Sequence, residues 1–426
     1  MTRSIRPTSV MTRGLTVLFA VGGGAAVGNL YWSQPLLEFI ARDLNSTAAA
    51  AGWLVTLTQV GYVVGIVLVV PLGDVTNRRR LVPLILLCSA VALAACALAP
   101  SISWLLVAIG LVGVTTVAGQ LLAPLAGDLA SDADRGQVVG TVVSGMLTGI
   151  LLSRTISGLV ADLFGWRAIY FLAAAVAVVF AVVLSRKIPP LTPKTSMSYA
   201  SLLQSLGGLV AAHRPVRWTM VLGATGFAVF TLFWTSLTFL LSAPPFSYPV
   251  SLIGLVGLAG VAGVVTAQRA GRLYDRGWGL PATGAAIAAT WLSLVVALIG
   301  ARSIVAILVA IVLLDVALQV LNRINQARMF EVSHQARSRL NTLFVTSNFL
   351  GGAIGSGLAA ALWPIGGWTA VMVAGMTLCV IGLVVWAVGR RHALHLNPNP
   401  QDPEPPQPDP GHRTGHHSPQ QHEGTF

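Results

Sequence analysis

The sequence predicts an all-α integral membrane protein in which twelve transmembrane helices form two pseudo-symmetric six-helix bundles. Three observations support this fold class. Of the 426 residues, 55% are hydrophobic and only 9% are charged, whereas soluble domains carry roughly 25% charged residues. Apolar runs of about 20 residues, the length that crosses a bilayer, recur along the chain. Several sequence features also occur twice, at a nearly constant spacing.

The predicted spans follow one another through short loops. We interpret them as helices, because they lack the polar alternation of barrel strands and every backbone polar group inside a bilayer must be satisfied within its own segment. In chain order they cover residues 14–37, 49–72, 81–99, 103–127, 138–161, 168–185, 218–241, 250–268, 279–300, 303–322, 340–363 and 368–389.

The two halves of the chain are related by a repeat of about 200 residues. Asp74 is followed 201 residues later by Asp275, in a similar basic turn. At an offset of 202 residues, Arg135, Gly149, Ser153, Gly165 and Trp166 correspond to Arg337, Gly351, Gly355, Gly367 and Trp368. A repeat of this length indicates a duplicated bundle, as in many transporters. We therefore predict an N-terminal bundle at 14–185 and a C-terminal bundle at 218–389.

The segments outside the bundles are predicted to be cytoplasmic. Residues 1–13 form the N-terminus, and the Pro- and Ser-containing segment 186–217 is a linker with helical spacing at 199–212. Residues 390–426 are rich in Pro, Gln and His, a composition typical of a disordered tail.

The distribution of Lys and Arg predicts the orientation. With the N-terminus in the cytoplasm, the outer loops hold only Arg42, Arg167 and Arg302, and Arg154 lies inside a span, which leaves 22 of the 26 basic residues on the cytoplasmic side. This agrees with the positive-inside rule. The net charge of +12 therefore indicates a topology in a plasma (inner) membrane, with the lipid bilayer as partner and both termini cytoplasmic, and does not indicate nucleic-acid binding.

Two sets of motifs carry a family resemblance. Leu72, Asp74, Arg78 and Arg79 match positions of the signature G-x-L-x-D-R-x-G-R-[RK], and Gly271, Leu273, Asp275 and Arg276 repeat its first half. The chain resembles the major facilitator superfamily along its whole length except the linker and the tail. Residues 29–31, 34–37, 59–62 and 336–342 resemble the arabinose efflux permease-like branch, close to proton-driven drug exporters. This resemblance implies export of a small molecule.

The antiporter signature of such exporters, G-x-x-x-G-P-x-x-G-G on helix 5, is incomplete. Gly145 and Gly149 match, but Ile150 replaces the proline and Ser153 and Arg154 replace the final glycines. Helix 4 also lacks the arginine of that family. Both departures argue against ordinary drug/proton antiport.

The duplicated loop predicts a cytoplasmic gate. Helices 5 and 11 begin on that side, where free N–H groups carry partial positive charge. Asp74 and Asp275 are predicted to latch onto these helix ends across the seam between the bundles, with the basic gate residues Arg78, Arg79 and Arg276. The alternative is that the aspartates only cap loops and pair with Arg78 and Arg276.

Small residues predict where helices approach each other closely. Gly145 and Gly149 lie four residues apart on one face of helix 5, and Gly351 and Gly355 repeat this spacing on helix 11. Such faces allow helix backbones to pack closely in membranes.

The transport chemistry is sought among charges inside the spans, which cost at least ~2.5 kcal/mol at the bilayer centre. Two residues qualify, Arg154 on helix 5 and Asp315 on helix 10. Asp315 is the predicted proton carrier, because desolvation favours the neutral carboxyl. Arg154 is predicted to hold a substrate carboxylate or phosphate through its planar fork, or a state-dependent partner in the other half. Counting 1.5 Å per residue places the two charges at different depths, so they need not touch.

Polar residues near these charges are candidates for a central pocket of amides and aromatics. Gln319 and Asn322 follow Asp315 at i+4 and i+7 and share its helix face. The candidates on other helices are Asn29, Tyr31, Gln34, Gln59, Gln120 and Trp234.

Three function classes remain, of which a membrane-bound enzyme or channel ranks last. The first is proton-coupled export of a small organic molecule by alternating access, and the second is uptake or exchange of an anionic metabolite held by Arg154. An enzyme is disfavoured, because no H-E-x-x-H, G-x-S-x-G or Walker A motif occurs. The three cysteines lie in apolar runs, so we expect no metal site and no cofactor. The expected partners are a small-molecule substrate, protons and the bilayer, for a monomeric protein.

Overall fold

The computed structural model describes residues 11–189, 198–260, 274–333, 336–391 and 394, and within these ranges the chain is helical without a strand. The tail from residue 395, residues 1–10 and part of the predicted eighth span lie outside the described residues. The same is true of Gly271 and Leu273 of the duplicated motif and of the Asp275 side chain.

The first half of the chain contains nine α-helices. They are α1 Arg13–Gly28, α2 Leu37–Asp43, α3 Ala48–Leu68, α4 Leu72–Val75, α5 Arg78–Ala97, α6 Ile102–Thr115, α7 Ala118–Leu129, α8 Arg135–Phe164 and α9 Trp166–Lys187.

The rest of the described chain adds six α-helices. They are α10 Tyr199–Ala212, α11 Arg214–Ser242, α12 Val250–Val256, α13 Gly279–Ile299, α14 Ile304–Glu331 and α15 Arg337–Gly389, with short turns of helix at Gln34–Leu36, Gly257–Gly260 and Tyr274–Trp278. α15 is interrupted at Gly366 and Gly367, where the backbone leaves helical angles.

Nine helices of the described residues are long and apolar enough to cross a membrane. One of them is α15, which joins the predicted spans 11 and 12 across its break. The count of twelve stays a prediction, because the predicted spans 1 and 8 are represented by shorter apolar helices, Arg13–Gly28 and Val250–Gly260.

The prediction of one continuous first helix at 14–37 was wrong. α1 ends at Gly28, and the chain continues through turns before α2 begins at Leu37. The backbone bonds change here to the i→i−3 pattern of turns, with the N–H groups of Asn29, Leu30 and Tyr31 donating to the carbonyls three residues before them, and Trp32 Nε1 donates to Asn29 Oδ1 at 2.7 Å. Irregular backbone at this depth is tolerated because it is buried in protein.

The predicted end of helix 10 at residue 322 was also wrong. α14 continues to Glu331, and apolar Ile324 and Met329 in this extension are buried. The charge of Arg328 does not prevent the burial of this extension, because its guanidinium donates to Asn325 Oδ1 at 3.1 Å and to Thr283 Oγ1 at 3.2 Å.

Parallel helices pack along small-residue faces in both halves. α1 packs on α8, and a Cβ atom added to Gly24 would lie 2.6 Å from the carbonyl oxygen of Gly145. α11 packs on α15 in the same way, with Gly351 against the backbone of Ala224.

The contacts that join α1–α9 to α11–α15 are concentrated at one side of the molecule. We call the side that holds Arg78, Arg79 and Arg135 the basic side, and the other the opposite side. Side-chain hydrogen bonds between the two sets of helices lie towards the opposite side, between Thr238 and Gln34 at 2.8 Å and between Ser251 and Asp162 at 2.7 Å.

Candidate substrate and proton site

A cavity of about 160 Å³ lies between α8, α11 and α14, the turn after α1 and the turn at 257–260. Its charged lining residues are Arg154 and Asp315, and its other walls consist mainly of Leu, Ile, Phe and Gly. Gly223 and Asn325 also line it, so the cavity extends towards the basic side. The arrangement suits a small molecule that has an apolar body and a polar group.

Arg154 is held in an aromatic cage. Its Cζ lies 4.0 Å from the centroid of the Trp234 ring, 5.3 Å from that of Tyr31 and 5.6 Å from that of Phe230. Its Nε donates to Gln34 Oε1 at 2.9 Å. Cation–π contacts of this kind stabilise a desolvated cation, but they leave the edge of the guanidinium free for hydrogen bonds.

Asp315 lies on the other wall and contacts the same tryptophan. Its Oδ1 accepts a hydrogen bond from Trp234 Nε1 at 3.3 Å. Trp234 therefore touches both charges, one with its ring face and one with its N–H. Arg154 and Asp315 are 4% and 7% exposed, and among the described residues neither forms an ion pair.

Glycines make room for both charged side chains. A Cβ atom on Gly257 would lie 3.3 Å from Cβ and Cδ of Arg154, and one on Gly260 would overlap Oδ2 of Asp315. A larger residue at either position would displace a charged group, so the turn at 257–260 is part of the site.

The expectation that the two charges lie at different depths was wrong. It assumed that helix 10 ends at residue 322, whereas α14 ends at Glu331, 16 residues after Asp315. Arg154 lies 19 residues after the start of α8 at Arg135. At 1.5 Å per residue these positions are about 24 and about 28 Å from the basic-side ends of their helices.

The predicted pocket residues divide into two groups. Tyr31, Gln319 and Asn322 line the cavity with the two charges, while Gln34 and Trp234 hold Arg154 from beside it. The remaining three pack elsewhere: Asn29 bonds Thr116 at 3.3 Å, Gln120 bonds Tyr62 at 3.1 Å, and Gln59 is fully buried against Gly352.

Some site residues were missed by sequence reasoning. Phe227 and Phe230 line the cavity but carry no sequence signal, since membrane helices are rich in phenylalanine on every face. Asn325, at i+10 from Asp315, lines the cavity one turn beyond Asn322, although its spacing does not match the i+4 and i+7 pattern of the predicted polar face. Asn348 donates to Asn322 Oδ1 at 3.2 Å and so joins α15 to this face.

The described part of the predicted gate forms contacts within one half. Arg78 donates to Asp74 Oδ1 and to Asp128 Oδ2, each at 2.7 Å, and to the Gly73 carbonyl at 2.6 Å. In this conformation Asp74 therefore pairs with Arg78, the alternative considered from the sequence. Arg79 donates to the Ser185 carbonyl at 3.4 Å, and Arg276 is exposed.

A family model described as Major Facilitator Superfamily matches residues 18–327. The chain belongs to the major facilitator superfamily. Membership makes it a membrane transporter of a small-molecule substrate rather than an enzyme, and confirms the resemblance carried by the duplicated motif.

Relatives in this superfamily extend over most of the chain. The sequence is 39% identical over 381 residues to "Uncharacterized transporter YgaY" of Escherichia coli O157:H7, covering 89% of this chain and 97% of that protein. It is 31% identical over 384 residues to "Probable transporter SCO4007" of Streptomyces coelicolor, covering 90% and 89%.

The fold is also that of solved superfamily structures. A bacterial homolog of the human lysosomal transporter Spinster, in an inward-facing and occupied conformation, matches with a TM-score of 0.72 at 15% identity, covering 89% of this chain and 96% of that one. At this identity the likeness concerns the fold alone, and it confirms the predicted all-α membrane fold.

Proposed function

We propose that the protein is a proton-coupled secondary transporter that binds a small organic molecule between Arg154 and Asp315 and moves it by alternating access. The observation that carries this proposal is the pair of buried, oppositely charged side chains that face one cavity and form no ion pair with any described residue. Buried charges in a membrane protein are costly and mark substrate or proton paths. Asp315 is the proton site and Arg154 the substrate site in this scheme.

The orientation that fits the proposal has both termini in the cytoplasm of a cell with a plasma (inner) membrane, because the basic residues collect on that side. The cavity then faces the cytoplasm, and the contacts of Thr238 and Ser251 close the periplasmic side. Both charges of the cavity come from the same chain, Arg154 from the first repeat and Asp315 from the second, in keeping with the proposed monomeric transporter made of two bundles.

The direction of transport is the open part of the proposal. Export in exchange for protons is favoured by the motif resemblance to proton-driven drug exporters. A second candidate, uptake or exchange of an anionic metabolite, is favoured by a specific observation: Nη2 of buried Arg154 makes no hydrogen bond to the described residues.

The gate is proposed to act when the cytoplasmic side closes. Asp74, now paired with Arg78, and Asp275 would then latch onto helix ends of the opposite bundle. We expect Asp74→Asn and Asp275→Asn each to slow transport and to favour the cytoplasm-open state, with substrate affinity retained. Unchanged transport in both variants would leave only loop capping.

The proposal is tested with the purified full-length protein in proteoliposomes that contain a pH-sensitive dye. Candidate compounds are added on one side, and proton movement is recorded in the absence of a membrane potential. Protons that move with the compound indicate symport, and protons that move against it indicate antiport. A compound that is transported without any proton movement would contradict the coupling.

A further inference from the structure

The proposed function leaves the substrate class open, and the geometry around Arg154 narrows it. Trp234, Tyr31 and Phe230 surround the guanidinium, and Gln34 takes the Nε–H. What remains is the Nη edge, where Nη2 is buried and unpartnered among the described residues. A planar fork that donates in its own plane matches a carboxylate in both shape and charge.

The uncharged part of the ligand is restricted by the cavity. Its volume is about 160 Å³, and its lining consists mainly of leucine, isoleucine, phenylalanine and glycine, with the neutral amides of Gln319, Asn322 and Asn325 along α14. These walls leave room for a compact apolar body but offer no second cation for a second acidic group within the described residues. The complementary ligand is therefore a small organic acid with one carboxylate.

The charge balance links this ligand to the proton. Arg154 and ionised Asp315 together are neutral, so a bound carboxylate would leave the buried site with a net negative charge. Protonation of Asp315 removes that excess. Two anions about 6–8 Å apart at an effective dielectric constant of about 20 repel enough to change affinity roughly 30- to 100-fold.

No other described group takes over this balance. The titratable side chains that line the cavity are Tyr31, Arg154 and Asp315, and neither α13 nor the turn at 257–260 contains a titratable residue. Arg214 and Arg217 on α11, Arg337 and Arg339 on α15, and Arg390 and Arg391 after α15 lie at or near helix ends, several turns from Asp315. On α14 itself, Arg323 and Arg328 follow Asp315 by eight and thirteen residues, about 12 and about 20 Å along the helix axis, and they donate to Gln326 and to Asn325 and Thr283.

We infer that the substrate is a small organic monocarboxylate, bound at the edge of Arg154, and that it binds together with a proton on Asp315. This inference rests on the proposed transport function and deepens it. It favours proton symport of an organic acid over export by proton antiport, because in an antiporter the substrate and the proton exclude each other.

The test measures ligand affinity on the purified full-length protein by thermal stabilisation. The probes are benzoate, phenylacetate and 3-methylbutanoate, each with its amide as the neutral isostere. We expect at least one acid to bind and its amide not to bind. The affinity of the protein for that acid should rise roughly 10- to 100-fold when the pH is lowered from about 7.5 to about 5.5. The free acid is still mostly ionised at about pH 5.5.

Two variants separate the roles of the two charges. Asp315→Asn, which mimics the protonated carboxyl, should bind the acid tightly and with no pH dependence. Arg154→Gln should lose acid binding at every pH. Asp132→Asn, an exposed acid in the turn before α8 that pairs with Arg135 away from the cavity, is the matched control and should behave like the native protein.

Several outcomes would overturn the inference: amides binding as tightly as acids, no probe binding, affinity that falls on acidification, or loss of acid binding in Asp315→Asn. The last result would indicate that Arg154 needs Asp315 as a state-dependent ion-pair partner. If acids bind as expected but no compound is ever transported, the proposed function fails while the binding site stands. If a neutral or cationic compound is transported with protons and no acid binds, the function stands and the inference fails.

Discussion

The two sequence repeats use the same packing and different chemistry. Gly149 on α8 lies against the backbone of Gly24, and its counterpart Gly351 on α15 lies against the backbone of Ala224. One turn further, Arg154 on α8 corresponds to Ser356 on α15, 202 residues later. Ser356 donates to the carbonyls of Gly352 at 2.9 Å and Ala353 at 3.2 Å and contacts Thr56 Oγ1 at 3.0 Å.

Asp315 shows the same asymmetry in the other direction. The position 202 residues before it is Gly113, where a Cβ atom would lie 2.9 Å from the backbone nitrogen of Tyr62. Each repeat therefore contributes one charge to the cavity where the other repeat has a small packing residue. The duplicated scaffold therefore provides the close helix contacts, and the positions where the two repeats differ provide the charges of the cavity.

The largest expected effect comes from removing the charge of Asp315, which has no counterpart in the other repeat. Asp315→Asn should abolish accumulation driven by a pH gradient while exchange of substrate down its own gradient continues, because only the proton step is lost. Transport into proteoliposomes with and without a pH gradient measures this, with Asp132→Asn as the control. Gradient-driven accumulation that survives in Asp315→Asn would assign the proton step to another residue.

The next effect compares Arg154 with its counterpart. Arg154→Lys should reduce transport roughly 10- to 100-fold, because a charge-assisted hydrogen bond contributes about 1.5–3 kcal/mol and lysine lacks the planar fork. Ser356→Ala should change transport by less than about twofold, since Ser356 does not line the cavity and makes only neutral hydrogen bonds, each of about 0.5–1.5 kcal/mol. Initial rates at equal protein in the membrane test both. Native rates in Arg154→Lys, with Arg154→Ala failing to insert, would make the charge structural.

The sequence predicted the scaffold better than the site, for physical reasons. Hydropathy and the repeat reflect burial in lipid, which acts on every residue of a span, so the fold class was accessible. The position of a helix end, by contrast, depends on contacts of individual side chains. Beyond residue 322, the buried guanidinium of Arg328 is satisfied by hydrogen bonds to Asn325 and Thr283, and no periodicity reveals these contacts.

The error at this one helix end propagated to the site. It placed Asp315 too close to the basic side and separated it from Arg154, although both residues had been selected correctly as buried charges. Gln59 shows the opposite limit, because an amide in a span predicts a buried polar group but not which cavity it faces. The sequence shows which charged and polar residues are buried in the spans, but it does not show how these residues lie relative to one another.

A smaller effect tests whether the α1–α8 contact and the α11–α15 contact are equally important for stability. Gly149→Ala and Gly351→Ala should each lower the free energy of unfolding by about 1–3 kcal/mol, since the added methyl group overlaps a facing backbone. Gly140→Ala on α8 has open space around its Cα and should have no such cost. Thermal unfolding of the three variants in detergent gives the comparison. A large difference in stability between Gly149→Ala and Gly351→Ala would mean that only one of the two helix contacts packs as described.

The smallest effect concerns Trp166 and Trp368, which also correspond in the repeat. Trp166 Nε1 donates to Asp43 Oδ2 at 2.9 Å, whereas Trp368 Nε1 donates to the Ala297 carbonyl at the same distance. Hydrogen bonds from Arg167 and then from Trp166 lower the pKa of Asp43 below its ordinary value, against the effect of its partial burial. A carboxyl with a depressed folded pKa stabilises the protein above its unfolded pKa of about 3.9 and loses that contribution as the pH falls through the folded value.

Replacing the two tryptophans should therefore give different pH profiles. Both Trp166→Phe and Trp368→Phe lose a hydrogen bond and some packing, but only Trp166→Phe should also reduce the fall in stability on acidification below about pH 5. The pH-dependent part should be only about 0.5 kcal/mol, since Asp43 and Arg167 are 40% and 39% exposed and solvent screens the pair. Melting temperatures of both variants and of Asp43→Asn between about pH 6 and about pH 3 measure it. Parallel profiles for the two tryptophan variants would show that Asp43 does not depend on Trp166, and that this pair of contacts is equivalent after all.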